Sequence, residues 1–98
     1  MNLKDTLGEE LKNALKSGDK VRSQVLRFLL AQLYNREIEK RGAGQEPALA
    51  DDEILQVFQK EAKRRREAIE LFRKGGRQDI VDKEEQELAM IDVYLPKA

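Results

Sequence analysis

Four consecutive bases, Lys63, Arg64, Arg65 and Arg66, stand inside the stretch EAKRRREAIELFRKGGRQD, which runs from Glu61 to Asp79 and continues through Arg73 and Lys74 to a double glycine and Arg77. Side chains of this type neutralise phosphates and release counterions, so the run could hold the backbone of an RNA. The same run could equally be the solvated face of an amphipathic helix, with Glu61, Glu67 and Glu70 interleaved. Covalent chemistry has less to draw on. The chain contains no cysteine and no histidine, which removes disulfides, thiol nucleophiles, zinc sites of the usual ligands and imidazole acid–base steps. Two serines remain, Ser17 and Ser23, and Ser23 lies near Lys20 at a helical spacing that any charged helix shows by chance. The residues therefore point to no catalytic group, no metal site and no cofactor.

Charge is segregated along a chain whose formal net charge is zero. Residues 60–77 carry eight bases against three acids, a net of +5, and residues 78–98 carry two bases against six acids, a net of −4. Apolar residues make up 40% and charged residues 39%, with six glycines and two prolines, the balance of a helical protein with a thin core. Ninety-eight residues suffice for one small domain, so a single domain over 1–98 is expected. No apolar run approaches the roughly 18 residues of a membrane span, and no signal-peptide pattern is present. The expected location is the cytoplasm, with no membrane partner.

The elements that would position the basic run follow from apolar spacing. Leu3, Leu7, Leu11 and Leu15 line one side of a first helix reaching about Ser17; Gly18 can end it and Asp19 can cap the next. In the second helix Val21, Val25, Phe28, Leu29 and Leu33 form a stripe that Leu26, Leu30, Tyr34 and Ile38 widen, predicting burial over a broad face. GAGQEPALA, residues 42–50, suits a surface connection. Asp51 or Asp52 opens a third helix with the stripe Ile54, Leu55, Phe58, Ala62, Ile69 and Phe72, closed by Gly75 or Gly76. A fourth carries Ile80, Val81, Leu88, Ile91 and Leu95 and is stopped by Pro96. No segment alternates as a half-buried strand would. The expected fold is all-α: four amphipathic helices, as two antiparallel hairpins packed into a small bundle.

On the third helix, stepping about 100° per residue from Lys60 puts Arg64 at about 40°, Lys63 at about 300° and Lys74 at about 320°, opposite an apolar stripe centred at about 160°. Lys60, Lys63, Arg64 and Lys74 thus share one outer face, and with Arg77 they are the candidate RNA contacts. Arg65 falls at about 140°, inside the stripe. Something must compensate it, or its stem must lie over the core with its head in water. The fourth helix has a matching interruption at Glu84 in the series 81, 84, 88, 91 and 95, so Glu84 is the first choice as partner in a structural ion pair, although a turn near 76 puts Arg65 nearest Leu88.

VRSQVLRFLLAQLYNREIEKRG (residues 21–42), the stretch from Asp51 to Leu88 containing GRQDIVDKE, and the terminal YLPK resemble the YqeY-like family, which is similar to the tail of the B subunit of the tRNA-dependent amidotransferase. The resemblance covers nearly the whole chain. It implies an all-helical N-terminal domain; family members usually continue past YLPK into a second, smaller helical domain, so a sequence that stops at Ala98 is expected to be either a natural short form or a fragment. Family descriptions attach carbon–nitrogen ligase activity with glutamine as amido-N-donor, inherited from an enzyme whose catalytic sites lie outside the tail; the resemblance transfers no catalytic residue. Family members often place threonine where Ala50 stands, so here an aspartate is expected to cap the third helix.

Three functions compete at this stage. One is an accessory module of an amidotransferase-like complex that contacts tRNA through the third helix. A second is a protein-interaction or oligomerisation module that uses the basic third or acidic fourth helix. The third is a stand-alone amidotransferase, which would need a nucleophile with an activating base.

Overall fold

Leucine at every fourth position makes the first segment a helix with one apolar side, and its two ends are closed by local chemistry. The computed structural model describes residues 2–96. In it α1 (Leu3–Ser17) starts at Asn2, whose side chain accepts from the Asp5 amide at 2.9 Å. It ends at Gly18, where φ is +74° and the next amide, Asp19, returns to the Ala14 carbonyl at 2.9 Å. An L side chain disfavours that left-handed backbone, so glycine is required by conformation and not by crowding. Asp19 then caps α2 (Lys20–Gly42), accepting from the Arg22 amide at 3.0 Å. The two helices run antiparallel, tied by Lys4 to Glu37 at 2.6 Å and by Arg22 to Glu10 at 3.1 Å.

The protein is all-α: four helices occur and no strand is present among the described residues. Its contacts group into two compact units, one ending at Val57 and the other beginning at Phe58, so the division falls within α3 (Asp51–Lys74) and not in the 43–50 connection. Buried apolar residues of the first unit are Leu7, Ala14, Val25, Leu26, Leu29, Leu33 and Ile54. Each fully buried aliphatic side chain contributes about 1.5–3 kcal/mol before entropy is counted.

Two expectations about faces are corrected here. Leu15 is 49% exposed and Ala14 takes the buried position, because a four-residue spacing drifts by about 40° per step around a helix, carrying Leu15 about 80° from the buried Leu7 while Ala14 stays within about 20° of it. On α2 the buried side is narrower than expected: Val21, Tyr34 and Ile38 are exposed. A helix has only one side facing its hairpin neighbour, and Tyr34 and Ile38 lie opposite Leu29 and Leu33.

The start of α3 is held by Glu53 and not by an aspartate cap. Glu53 reaches back to the Ala50 amide at 3.1 Å, the reciprocal half of a capping box, while Asp51 accepts from the Leu3 amide at 3.0 Å. Glu53 also pairs with Lys40 at 2.9 Å, and Lys40, buried near the end of α2, donates to the Ala48 carbonyl at 2.8 Å. That lysine therefore ties α2, the connection and the first turn of α3 together.

In the second unit α3 is followed by α4 (Gln78–Asp92) in an antiparallel hairpin. Gly76, with φ +74°, makes the turn, and the Arg77 amide returns to the Phe72 carbonyl at 2.9 Å. Phe58, Ala62, Ile69, Val81 and Ile91 are buried, and the Phe58 and Tyr94 rings meet at 5.7 Å. α4 ends at Asp92, earlier than Pro96 requires, because Tyr94 and Leu95 tighten into bonds to the carbonyls three residues back.

Two outcomes follow. Asp19→Ala leaves the first amides of α2 without their acceptor and should cost about 0.5–2 kcal/mol in a urea titration. The Lys40 hydrogen bond, with that of the Ala50 amide, holds Glu53 below its ordinary value of 4.5. A depressed carboxylate stabilises fully above the unfolded pKa, and that stabilisation disappears as pH falls through the folded one. The denaturation midpoint should therefore drop on acidification below about 4.5, and Glu53→Gln should show a shallower drop than the parent chain.

Candidate nucleic-acid interface

Arg65 is placed among carboxylates by the pairing of α3 with α4. Its Nε donates to Glu61 at 3.0 Å, one turn earlier on α3, and its Nη1 donates to Glu84 at 3.2 Å and Glu87 at 2.7 Å across the hairpin. The side chains of Arg65 and Glu87 are each 12% exposed and that of Glu61 only 6%. Burial works against the charge on Arg65, but its hydrogen bond to Glu87 and the charges of Glu84, Glu61 and Glu87 outweigh this and raise its pKa. No buried side-chain nitrogen or oxygen among the described residues lacks a partner. The three carboxylates converge on a guanidinium, and no group of acidic residues among those described could hold a metal ion.

Sequence reasoning named Glu84 and missed Glu61 and Glu87. Glu61 was grouped with Glu67 and Glu70 on the wet face, whereas the structure buries it. Its spacing of four from Arg65 was the available signal. Glu87 depends on the register of the hairpin, in which Phe58 faces Tyr94 and Arg65 faces Glu87, both symmetric about residue 76.

The neighbouring arginines are also engaged. Arg64 lies 3.6 Å from Glu61, Arg66 lies 3.6 Å from Asp92, and Arg73 donates to both Glu70 and Glu85. Arg77, beyond the turn, grips Asp79 with two hydrogen bonds at 3.2 and 3.3 Å, which lower the Asp79 pKa and raise that of Arg77. The lysines differ. Lys60, Lys63 and Lys74 are exposed and have no ion pair or hydrogen bond from their side chains among the described residues. Of the five candidate contacts, the structure thus puts Lys60, Lys63, Arg64 and Lys74 on the outer face of α3 and sets Arg77 apart at the start of α4, its charge matched by Asp79. Leu71, 70% exposed, sits between Glu67 and Lys74 on the same face.

The serines have structural uses. Ser23 is buried and donates to the Asp19 carbonyl at 2.6 Å, and Ser17 donates to the Ala14 carbonyl at 3.2 Å. Both bonds are local helix contacts, and Lys20 takes no part in them. No helix among the described residues is long and apolar enough to cross a membrane.

Comparison with known proteins places these features in a family context. A family model described as Yqey-like protein matches residues 4–98. The chain is 32% identical over 96 residues to an uncharacterized protein of Schizosaccharomyces pombe, covering 98% of this chain and 74% of that protein. It is 34% identical over 89 residues to Altered inheritance of mitochondria protein 41, mitochondrial, of Eremothecium gossypii, covering 91% of this chain and 46% of that one. The protein of the same name in Lachancea thermotolerans is 33% identical over the same shares. The chain therefore spans about half the length of these mitochondrial relatives.

Removing Arg65 strands three carboxylates, two of them nearly buried, so Arg65→Ala should cost about 3–5 kcal/mol in chemical denaturation. Lys63→Ala, at an exposed and unpaired position, should stay within about 0.5 kcal/mol of the parent. Equal losses for the two variants would show that the carboxylate cage contributes nothing.

Proposed function

Since the chain belongs to the Yqey-like protein family, we propose that it is a non-catalytic accessory module which holds RNA, tRNA first, on the lysine face of α3. The observation that supports this reading is the division between the two kinds of base. Arg64, Arg65, Arg66, Arg73 and Arg77 each have a carboxylate partner, while Lys60, Lys63 and Lys74 stand exposed without one. Unpaired ammonium groups on flexible stems can follow phosphates without first breaking an internal bond. Arg64, held only at 3.6 Å and largely exposed, adds a fourth contact.

Aromatic residues leave the binding to shape and charge. Phe58 is buried and meets Tyr94, so neither offers a free platform for stacking bases. A folded RNA, recognised through its backbone, fits a row of lysines better than an unpaired strand does. Amide transfer from glutamine requires a nucleophile with an activating base. The Ser23 hydroxyl gives its hydrogen to a backbone carbonyl and has no such base, so in this proposal any carbon–nitrogen ligation belongs to other members of an amidotransferase-like complex. The proposed compartment is the cytoplasm; the mitochondrial names of the fungal relatives supply the rival, and fractionation of cells expressing the tagged chain separates the two.

Titration with tRNA at increasing salt tests the reading. About four neutralised phosphates give a log–log slope of roughly −3 to −4. Converting Lys60 and Lys63 to alanine should flatten it by about two, and Arg77→Ala should change it less than either lysine does. Absence of any tRNA association at low salt would remove the proposal.

A further inference from the structure

The outer side of α2 carries a set of exposed residues that the reading of α3 does not use. Lys20, Arg27, Ala31, Tyr34, Ile38 and Arg41 fall within an arc of about 80° when the helix is stepped at 100° per residue. The buried residues Val25, Leu26, Leu29 and Leu33 occupy the opposite side. Tyr34 is 61% exposed and Ile38 46% exposed, and Ala31 lies exposed between them and Arg27. The apolar residues recur at intervals of three and four, the spacing by which one helix reads another. The flanking charges are all positive, and the side chains of Lys20, Arg27 and Arg41 have no ion pair or hydrogen bond among the described residues. No acidic residue lies within the arc.

We infer that this face docks an acidic amphipathic helix of another protein, its apolar residues on Ala31, Tyr34 and Ile38 and its carboxylates on Arg27 and Arg41. Charge decides among the possible occupants. A second copy laid antiparallel about Tyr34 would set Arg27 against Arg41, and a parallel copy would set each base against itself, so like charges meet in both arrangements. An RNA would use the bases but gain nothing from Ile38 and Ala31. A lipid surface needs a broader apolar face than one isoleucine, one tyrosine and one alanine. An acidic helix uses every feature: the tyrosine and arginines are the residue types that anchor interfaces, and their charges steer an acidic partner to the site.

The test uses the full chain and a labelled designed peptide of about 20 residues with leucine at alternating three- and four-residue intervals and glutamate at the flanking positions. A twin peptide carries lysine in place of glutamate. Fluorescence anisotropy should show binding of the acidic peptide and at least about tenfold weaker binding of its twin. Tyr34→Glu should weaken the acidic complex by about tenfold or more. Arg27→Glu should do so mainly at low salt, which gives a second variant should Tyr34→Glu lower the melting temperature. The inference is overturned if neither peptide binds, if both bind equally, or if both variants bind as the parent does. It is also overturned if Tyr34→Glu abolishes a dimer seen in sedimentation, or abolishes binding to phosphatidylserine vesicles or to tRNA. Loss of tRNA binding on changing Lys60 and Lys63 bears on the α3 face alone and leaves this inference standing.

Discussion

A guanidinium withdrawn from water must have its charge countered and its donors occupied, and in the second unit that requirement falls on Arg65. Taking an ion out of water costs several kcal/mol, and the loss is offset only when every donor and acceptor finds a partner. Glu61, Glu84 and Glu87 meet this condition together, with Arg64 adding a second positive charge at Glu61. Sliding α4 along α3 by one turn would separate Glu84 and Glu87 from the guanidinium and leave Glu61 buried with less compensation. Apolar packing is tolerant of such a slip; a buried charge is not. The cage thus selects one hairpin register, and the Phe58 and Tyr94 contact, symmetric with it about Gly76, belongs to that same register.

This internal pairing also determines what the surface of α3 presents. The planar fork of arginine matches carboxylates, and the arginines of residues 64–77 are held by acids on α3 or α4. Lysines at 60, 63 and 74 remain outside that network. A run that looks uniformly basic in the chain is therefore divided: its arginines are paired with carboxylates, Arg65, Arg66 and Arg73 across the hairpin, while the lysines, with the exposed Arg64, supply the outer charge. The acidic character of α4 has the same origin, since Glu84, Glu85, Glu87 and Asp92 answer arginines on α3.

The first unit meets the same constraint with a single cation. Lys40 is buried, and its ammonium is satisfied by the Ala48 carbonyl and by Glu53, whose other contact is the Ala50 amide. One side chain thereby orders the connection and opens α3 without an aspartate cap. The opposite side of α2 is exposed, so its tyrosine and isoleucine stay at the surface beside Arg27 and Arg41.

Much of the local architecture was legible in the chain, because helix bonds and caps reach only three to five residues. Gly18 as a stop, Asp19 as a cap, the double-glycine turn and the anomaly of Arg65 in an apolar stripe all belong to that class. The burial of Lys40 and Glu61, the arrival of Glu87 and the exposure of Leu15, Tyr34 and Ile38 were decided otherwise. Spacing shows which residues share a side of a helix, but not how many of a helix's sides are covered or which carboxylate reaches a given base. Those outcomes depend on side chains brought together across the hairpins, where the cost of an unmatched buried charge and the limited area of each contact settle what the local pattern leaves open.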